Sequence, residues 1–244
     1  MSTKHDGHLH HISQQFNSEL SQLKAEFLKM GGMVESQVQH AMQALENNDY
    51  ELAEQTRLKD KEVDRMERAI DEEANRVIVK RQPTASDLRL VMSVVKMVAD
   101  LERIGDEAKK IAKFAISISE SETGALGSRY DSVVEAKHIS NHVVAMVRDA
   151  LDAFARFDTA QALRIMKEDK LVDQEYKSAI RSLVTFMMED PRSISTCLSI
   201  MWVLRSLERV GDHACNIAEY VIYMVEGEDV RHRPIDHAEK VVRP

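Results

Sequence analysis

Two pairs of carboxylates stand in the same setting twice along the chain. Glu102 and Asp106 belong to the segment Leu101-Glu102-Arg103-Ile104-Gly105-Asp106-Glu107-Ala108-Lys109-Lys110-Ile111-Ala112. Glu208 and Asp212 belong to Leu207-Glu208-Arg209-Val210-Gly211-Asp212-His213-Ala214-Cys215-Asn216-Ile217-Ala218. The segments lie 106 residues apart and agree at eight of twelve positions. On a helix, residues four apart are separated by about 40° around the axis, so each pair presents both acids on one face. Like charges at that spacing weaken a helix. A hard divalent or trivalent cation reverses the effect, because such ions take all-oxygen ligand sets. With 41 acidic residues among 244, the spacing alone means little, and its ordinary reading is a solvated acidic face. Its return inside a matched segment is what favours a site.

A second set of acids precedes each pair. Asp60, Asp64, Glu67 and Asp71 are spaced by four, three and four, and Asp169 and Asp173 repeat Asp60 and Asp64. Asp64 and Asp173 each follow a valine, which places them nearer the apolar seam and makes them the more direct second pair of ligands. The plainer alternative is an ion-pair surface with Lys61, Arg65 and Arg68. The candidate metal ligands are therefore Glu102, Asp106, Glu208, Asp212, Asp64, Asp173, Asp60 and Asp169. The residue types suit Mg, Mn, Fe or Zn without choosing among them. The two sets are not identical: Asp100 becomes Ser206 and Glu67 becomes Tyr176, so their charge and occupancy should differ.

Arg103 and Arg209 fit an intrahelical ion pair, or orientation of the neighbouring carboxylates. Gly105 and Gly211 each cost about 1 kcal/mol in a helix relative to Ala. Their recurrence implies close approach of another helix or of a bound species. Trp202, the only tryptophan, is expected at a contact between bundles, although its counterpart is Lys96.

Positioning these residues requires long helices. Apolar residues recur at three- and four-residue spacing in six stretches, at about 16–46, 51–80, 87–119, 130–157, 159–189 and 193–225. The first stripe is Phe16, Leu20, Leu23, Phe27, Met30, Val34, Val38, Ala41 and Leu45. The second buries Leu52, Leu58, Val63, Met66, Ile70, Ala74 and Val77, and the third runs from Leu90 through Leu101 and Ile104 to Ile118. The sixth runs from Val203 through Leu207 and Val210 to Met224. Asp49-Tyr50 is matched by Asp158-Thr159, Pro83 stands opposite Pro191, and Ser86 is placed to cap the third helix. The reading is all-α, with two tandem three-helix bundles related by an internal repeat: 16–120 and 129–226. A His-rich segment at 1–15 is read as disordered or frayed, and 227–244 as a polar tail.

Composition limits the function. A net charge of −8 and a pI near 5.7 argue against nucleic acid as the partner. No apolar run reaches the ~18 residues of a membrane span, and the polar N-terminus lacks an export segment, so a cytoplasmic protein is expected. Cys197 and Cys215 lie too far apart on one helix to pair. No phosphate-cradling glycine loop, nucleophile elbow or zinc cysteine pair is present. Glu135 to His138 is the lone helical Glu-x-x-His, whereas a di-iron carboxylate bundle needs two.

The two Leu-Glu-Arg-(Ile/Val)-Gly-Asp segments resemble those of the PhoU family of phosphate-signalling regulators, as does Met30-Gly31-Gly32-Met33-Val34-Glu35. The resemblance spans about residues 13–226. It implies two three-helix bundles whose Glu/Asp-x-x-x-Asp pairs bind metal ions. It also implies a non-enzymatic accessory protein that couples a high-affinity phosphate ABC transporter, through its ATPase, to a sensor histidine kinase, and represses phosphate-starvation genes when phosphate is plentiful. A homodimer is the expected assembly. The rival of another class is a ferritin-like di-iron carboxylate enzyme.

Overall fold

The repeated turn at Asp49 and Asp158 shows how the sequence sets its own punctuation. Asp49 accepts a hydrogen bond from the Leu52 amide at 3.0 Å, and Asp158 accepts one from Gln161 at 2.8 Å. Each carboxylate satisfies a donor that the first turn of a helix leaves free. The residue before each cap has a left-handed backbone: Asn48 at φ 55° and Phe157 at φ 55°. Asparagine adopts that conformation easily, whereas for phenylalanine it costs about 1–2 kcal/mol.

The computed structural model describes residues 3–120 and 126–242, with side chains described for 14–120 and 133–242. Helix α1 covers Thr3–Asn47, α2 Tyr50–Arg81 and α3 Ala85–Glu120. Helix α4 covers Leu126–Arg156, α5 Thr159–Glu189 and α6 Ile194–Glu226, with a 3₁₀ turn at Pro191–Ser193 before α6. A seventh helix, α7, covers Ile235–Val242. The chain is all-α among the described residues.

Three boundaries differ from the sequence reading. Helix α1 begins well before Phe16, and the side chains of His5, His8, His10 and His11 lie outside those described. Ser86 lies inside α3 and does not cap it. Beyond α6 the chain is not only a polar tail. Gly227 closes α6 at φ 79°, Val230 and Ala238 are buried, and α7 packs on α5 and α6. Its hydrophobic face was diluted by the charged residues around it, which is why the tail looked polar. Residues 121–125 lie outside the described residues, and Leu126 opens α4 ahead of the start at 129 expected for the second bundle.

Helix α3 packs on α1 and α2, and α6 packs on α4 and α5. The expected seams hold. Leu101, Ile104, Ala108 and Ile111 are fully buried in α3, as are Leu207, Val210, Ala214 and Ile217 in α6. Leu58 is the exception, exposed on α2.

The bundles meet through two helix pairs. One is α3 with α6. Asp100 accepts from His213 Nδ1 at 2.9 Å and from Asn216 at 3.0 Å, and Glu107 meets Arg209 at 3.1 Å. As the α3 number rises the α6 number falls, so the pair is antiparallel. The other is α1 with α4, also antiparallel. The Phe27 and Phe154 rings meet edge to face at 4.5 Å, and Glu35 accepts a forked bond from Arg148 at 2.5 and 3.0 Å. A Cβ at Gly31 would run into the Leu151 side chain, so glycine is what lets these helices close. Phe157 also belongs to this contact, with the Lys24 ammonium 4.3 Å from its ring centre and the Phe154 ring 6.4 Å away.

Leu101 sits where α3 meets its bundle and is fully enclosed. Leu101→Ala should cost about 2–5 kcal/mol by urea denaturation. A midpoint equal to wild type would show that this face of α3 does not carry the core.

Candidate metal centre

The acids that the sequence singled out gather on two faces, one per bundle. On the first, α2 supplies Asp60, Asp64 and Glu67 and α3 supplies Glu102 and Asp106. Burial holds the Glu102 carboxyl above its ordinary range, and the charges of Asp106, Glu67, Asp64 and Asp60 push it further the same way. Glu67 is raised by burial and then by Asp71 and Asp64. On the second face, α5 supplies Asp169 and Asp173 and α6 supplies Glu208 and Asp212. Asp169 is pushed up to about 6, by burial first and then by Asp212, Asp173 and Glu208. Glu208 and Asp212 are raised in the same direction, again chiefly by burial. Each predicted acid thus lies within the electrostatic field of its own set, and Glu102, Asp169, Glu208 and Asp212 are held back from ionising by burial and by those neighbours.

Each glycine lies beside an aspartate of a neighbouring helix. A Cβ on Gly105 would lie 3.3 Å from Gln37 Oε1, 3.4 Å from Val63 and 3.5 Å from Asp60 Oδ1. A Cβ on Gly211 would lie 3.6 Å from both Val143 and Val172 and 3.7 Å from Asp169 Oδ1. A Cβ would meet both aspartates at ordinary contact distance, and only Gln37 of α1, 3.3 Å from Gly105, would be crowded. On the first face the order of depth is the reverse of that expected. Asp60 is only 2% exposed, whereas Asp64 is partly exposed. The aspartate beside the glycine lies deeper than the one following the valine.

The faces differ in how their charge is balanced. Lys109 donates to Asp60 Oδ2 at 2.5 Å and reaches Asp106 at 3.5 Å. Its ammonium is raised by that contact. The residue at the same place in the second segment is Cys215, whose thiol is pushed far up by burial and by Asp169. The first face has a built-in cation where the second has none. At the second face Arg205 donates to Glu208 Oε1 at 2.7 Å, while Glu208 Oε2 is buried with no partner. Lys177 approaches Asp173 at 3.7 Å from the exposed side.

The donor sets fit a hard cation in kind: all oxygen, mutually repelling, with a buried acceptor unsatisfied. Gln37, 2% exposed and with both amide atoms unpartnered, adds a further oxygen beside Gly105. In their present rotamers, no three or more His, Cys, Asp or Glu among the described residues close around one point. The carboxylates share a field without sharing a centre.

Other candidates resolve differently. Arg209 crosses to Glu107 of the other bundle and makes no intrahelical bridge to its neighbouring acids. Trp202 is not a core contact between bundles: it lines a groove between α3 and α6 and is 59% exposed. Asp100 serves the seam between bundles and no acidic face. Sequence reasoning missed Lys109 and Gln37. The Lys109/Cys215 exchange was visible in the repeat, but Gln37 carried no signal because its helix has no matched motif.

Both bundles match one family model. The PhoU domain fits residues 27–115 and again residues 136–221. The chain belongs to the PhoU family. It is 57% identical over 223 residues to the phosphate-specific transport system accessory protein PhoU homolog of Pseudomonas putida, covering 91% of this chain and 85% of that one. It is 46% identical over 232 residues to the PhoU accessory protein of Escherichia coli K12, covering 95% and 94%. The crystal structure of PhoU from Pseudomonas aeruginosa superimposes with a TM-score of 0.82 at 54% identity, covering 87% of this chain and all of that one. That of the phosphate transport system regulatory protein PhoU from Streptococcus pneumoniae gives 0.79 at 29% identity, covering 88% and 99%. These are names of accessory and regulatory proteins, which sets the di-iron enzyme aside. No helix among the described residues is long and apolar enough to cross a membrane.

Lys109 is the counter-ion of an aspartate that solvent barely reaches. Lys109→Met should destabilise the protein by about 1–3 kcal/mol, because Asp60 keeps its burial and loses its partner. Lys29→Met on exposed α1 should change little. Equal urea midpoints for both variants would show that the ammonium does not hold Asp60.

Proposed function

We propose that this protein is a cytoplasmic negative regulator of the phosphate-starvation response. It couples a high-affinity phosphate ABC transporter to a sensor histidine kinase and modulates phosphate uptake. The observation that carries the reading is the family match to both bundles, in a chain whose relatives are named phosphate-specific transport system accessory proteins. Its partners are the transporter's ATPase and the cytosolic part of the kinase, and it works as a homodimer. A net charge of −8 agrees with protein partners in preference to nucleic acid.

The acidic faces bind metal in this reading. Asp60, Asp64, Glu102 and Asp106 would hold a cation on the first face, and Asp169, Asp173, Glu208 and Asp212 on the second. A bound Mg, Mn, Fe or Zn ion supplies positive charge and open coordination positions for a partner's carboxylate or a phosphate. The chain's own contribution is to fix the donors on adjacent helices of each bundle. On the first face Lys109 competes for Asp60, so the second face should load more readily.

Deleting the gene should make phosphate-starvation genes constitutive in phosphate-rich medium, read with a transcriptional reporter. A deletion strain that still represses would defeat the regulatory reading. For the metal, Glu208→Ala with Asp212→Ala should lower bound Mn, Fe, Zn or Mg in natively expressed protein while far-UV circular dichroism stays unchanged. Metal content equal to wild type would remove the second face from the argument.

A further inference from the structure

The α3–α6 seam has two ends related by the internal repeat, and among the described residues only one is covered by a further stretch of chain. At the covered end Tyr220 lines the seam, and the chain beyond α6 folds back over it. Arg231 donates to the Tyr220 hydroxyl at 2.7 Å, and its guanidinium lies 4.9 Å from the ring centre. Lys96 approaches the same ring at 5.6 Å. Glu219, next to Tyr220, lies in the field of Arg231. A turn of chain closes this end, its Arg231 held in a fork by Asp229 of the same segment while it reaches the Tyr220 hydroxyl.

The 106-residue offset maps each of these residues onto the other end: Tyr220 onto Phe114, Lys96 onto Trp202, Asn216 onto Lys110 and Glu219 onto Lys113. Phe114, Trp202, Lys110 and Lys113 all line an open groove of about 420 Å³. Arg205 and Arg209 complete its wall, which holds four cations and one carboxylate, Glu107, with Arg205 turned to Glu208 at 2.7 Å. Glu107 is buried and takes both Lys110 at 2.9 Å and Arg209 at 3.1 Å. Lys113 is exposed. In a chain of net charge −8, this is a local basic surface with a large exposed aromatic beside it.

We infer that this open groove docks an extended acidic segment of a protein partner, with an apolar side chain set against Trp202 and Phe114 and carboxylates set against Lys113 and its neighbours. The charge logic follows from the lining: Lys110, Lys113, Arg205 and Arg209 outnumber its carboxylate Glu107, and Lys113 is exposed and outside both of the Glu107 pairs, so the occupant brings a carboxylate. Exposed aromatics flanked by arginine are the composition of binding hot spots. Complementary charge speeds and selects the encounter, and salt weakens it. The inference rests on the reading that this protein acts through protein contacts, and it is tested on purified protein, independently of gene expression.

Trp202 is the only tryptophan in the chain, so its emission reports on the groove directly. The full-length protein should be titrated with a short acetylated peptide of glutamates flanking a central Leu-Val pair. The same peptide with lysines for glutamates, ATP and inorganic phosphate serve as comparisons. The glutamate peptide should shift Trp202 emission to the blue and saturate below about 1 mM, with affinity falling as salt rises. The lysine peptide should leave the emission unchanged. In anisotropy with a labelled glutamate peptide, Lys113→Glu should weaken binding about fivefold or more and Trp202→Ala about tenfold or more. Lys29→Glu, a charge reversal on exposed α1, should bind as wild type does. Absence of a saturable response, or equal binding by Lys113→Glu and wild type, overturns the inference. So does saturation by ATP or phosphate that expels the peptide, since that result makes the groove a small-anion pocket. A failure here with a constitutive deletion strain would leave the regulatory reading standing and remove only this surface.

Discussion

The antiparallel packing of α3 against α6 is the constraint from which the rest follows. Each of these helices is enclosed by two helices of its own bundle and by the other central helix. Little of its circumference is left for water. What remains is divided into strips, and each strip has a distinct character. The strip towards α2 or α5 carries the Glu-x-x-x-Asp acids. The strip along the seam carries Asp100, Glu107, Arg209 and His213, which pair across the bundles. Polar groups in such positions are costly without partners, which is why the seam residues find one another while the acids of each face leave a repulsion unsettled.

Much of this arrangement was legible in the chain. The three-four spacing located the core faces of α1, α2, α3 and α6, because burial against two or more neighbours favours an apolar stripe. The repeat located both acidic faces. What escaped was anything that depended on distance between helices. Asp60 reads as one acid among many on α2, and only its place against α3 makes it the deepest. Lys109 reads as a surface lysine until Asp60 is beneath it. Trp202 was expected in a contact because tryptophan usually is; its lysine counterpart in the first repeat was the better guide to exposure. Helix α7 escaped because an eight-residue helix gives too few turns for periodicity to rise above charged neighbours.

Duplication also explains why two similar faces need not behave alike. Once the bundle exists twice, either copy can drift in charge while the shared core keeps its shape. Lys109 against Cys215, and Glu67 against Tyr176, are drift of this kind, and both alter the electrostatics of a face without touching an apolar seam residue.

Phe157 carries the same history into the backbone. Asn48 and Phe157 hold the same left-handed angle at the same turn, but only asparagine holds it cheaply. The phenylalanine is tied to the first bundle by Lys24 and to its own helix by Phe154. Its strain is therefore local to the second bundle, and part of what offsets it is supplied by the first. A half severed from its neighbour would keep the cost and lose the compensation. Two units that look like separable domains are thus linked, and loss of the first removes a contact that stabilises the second.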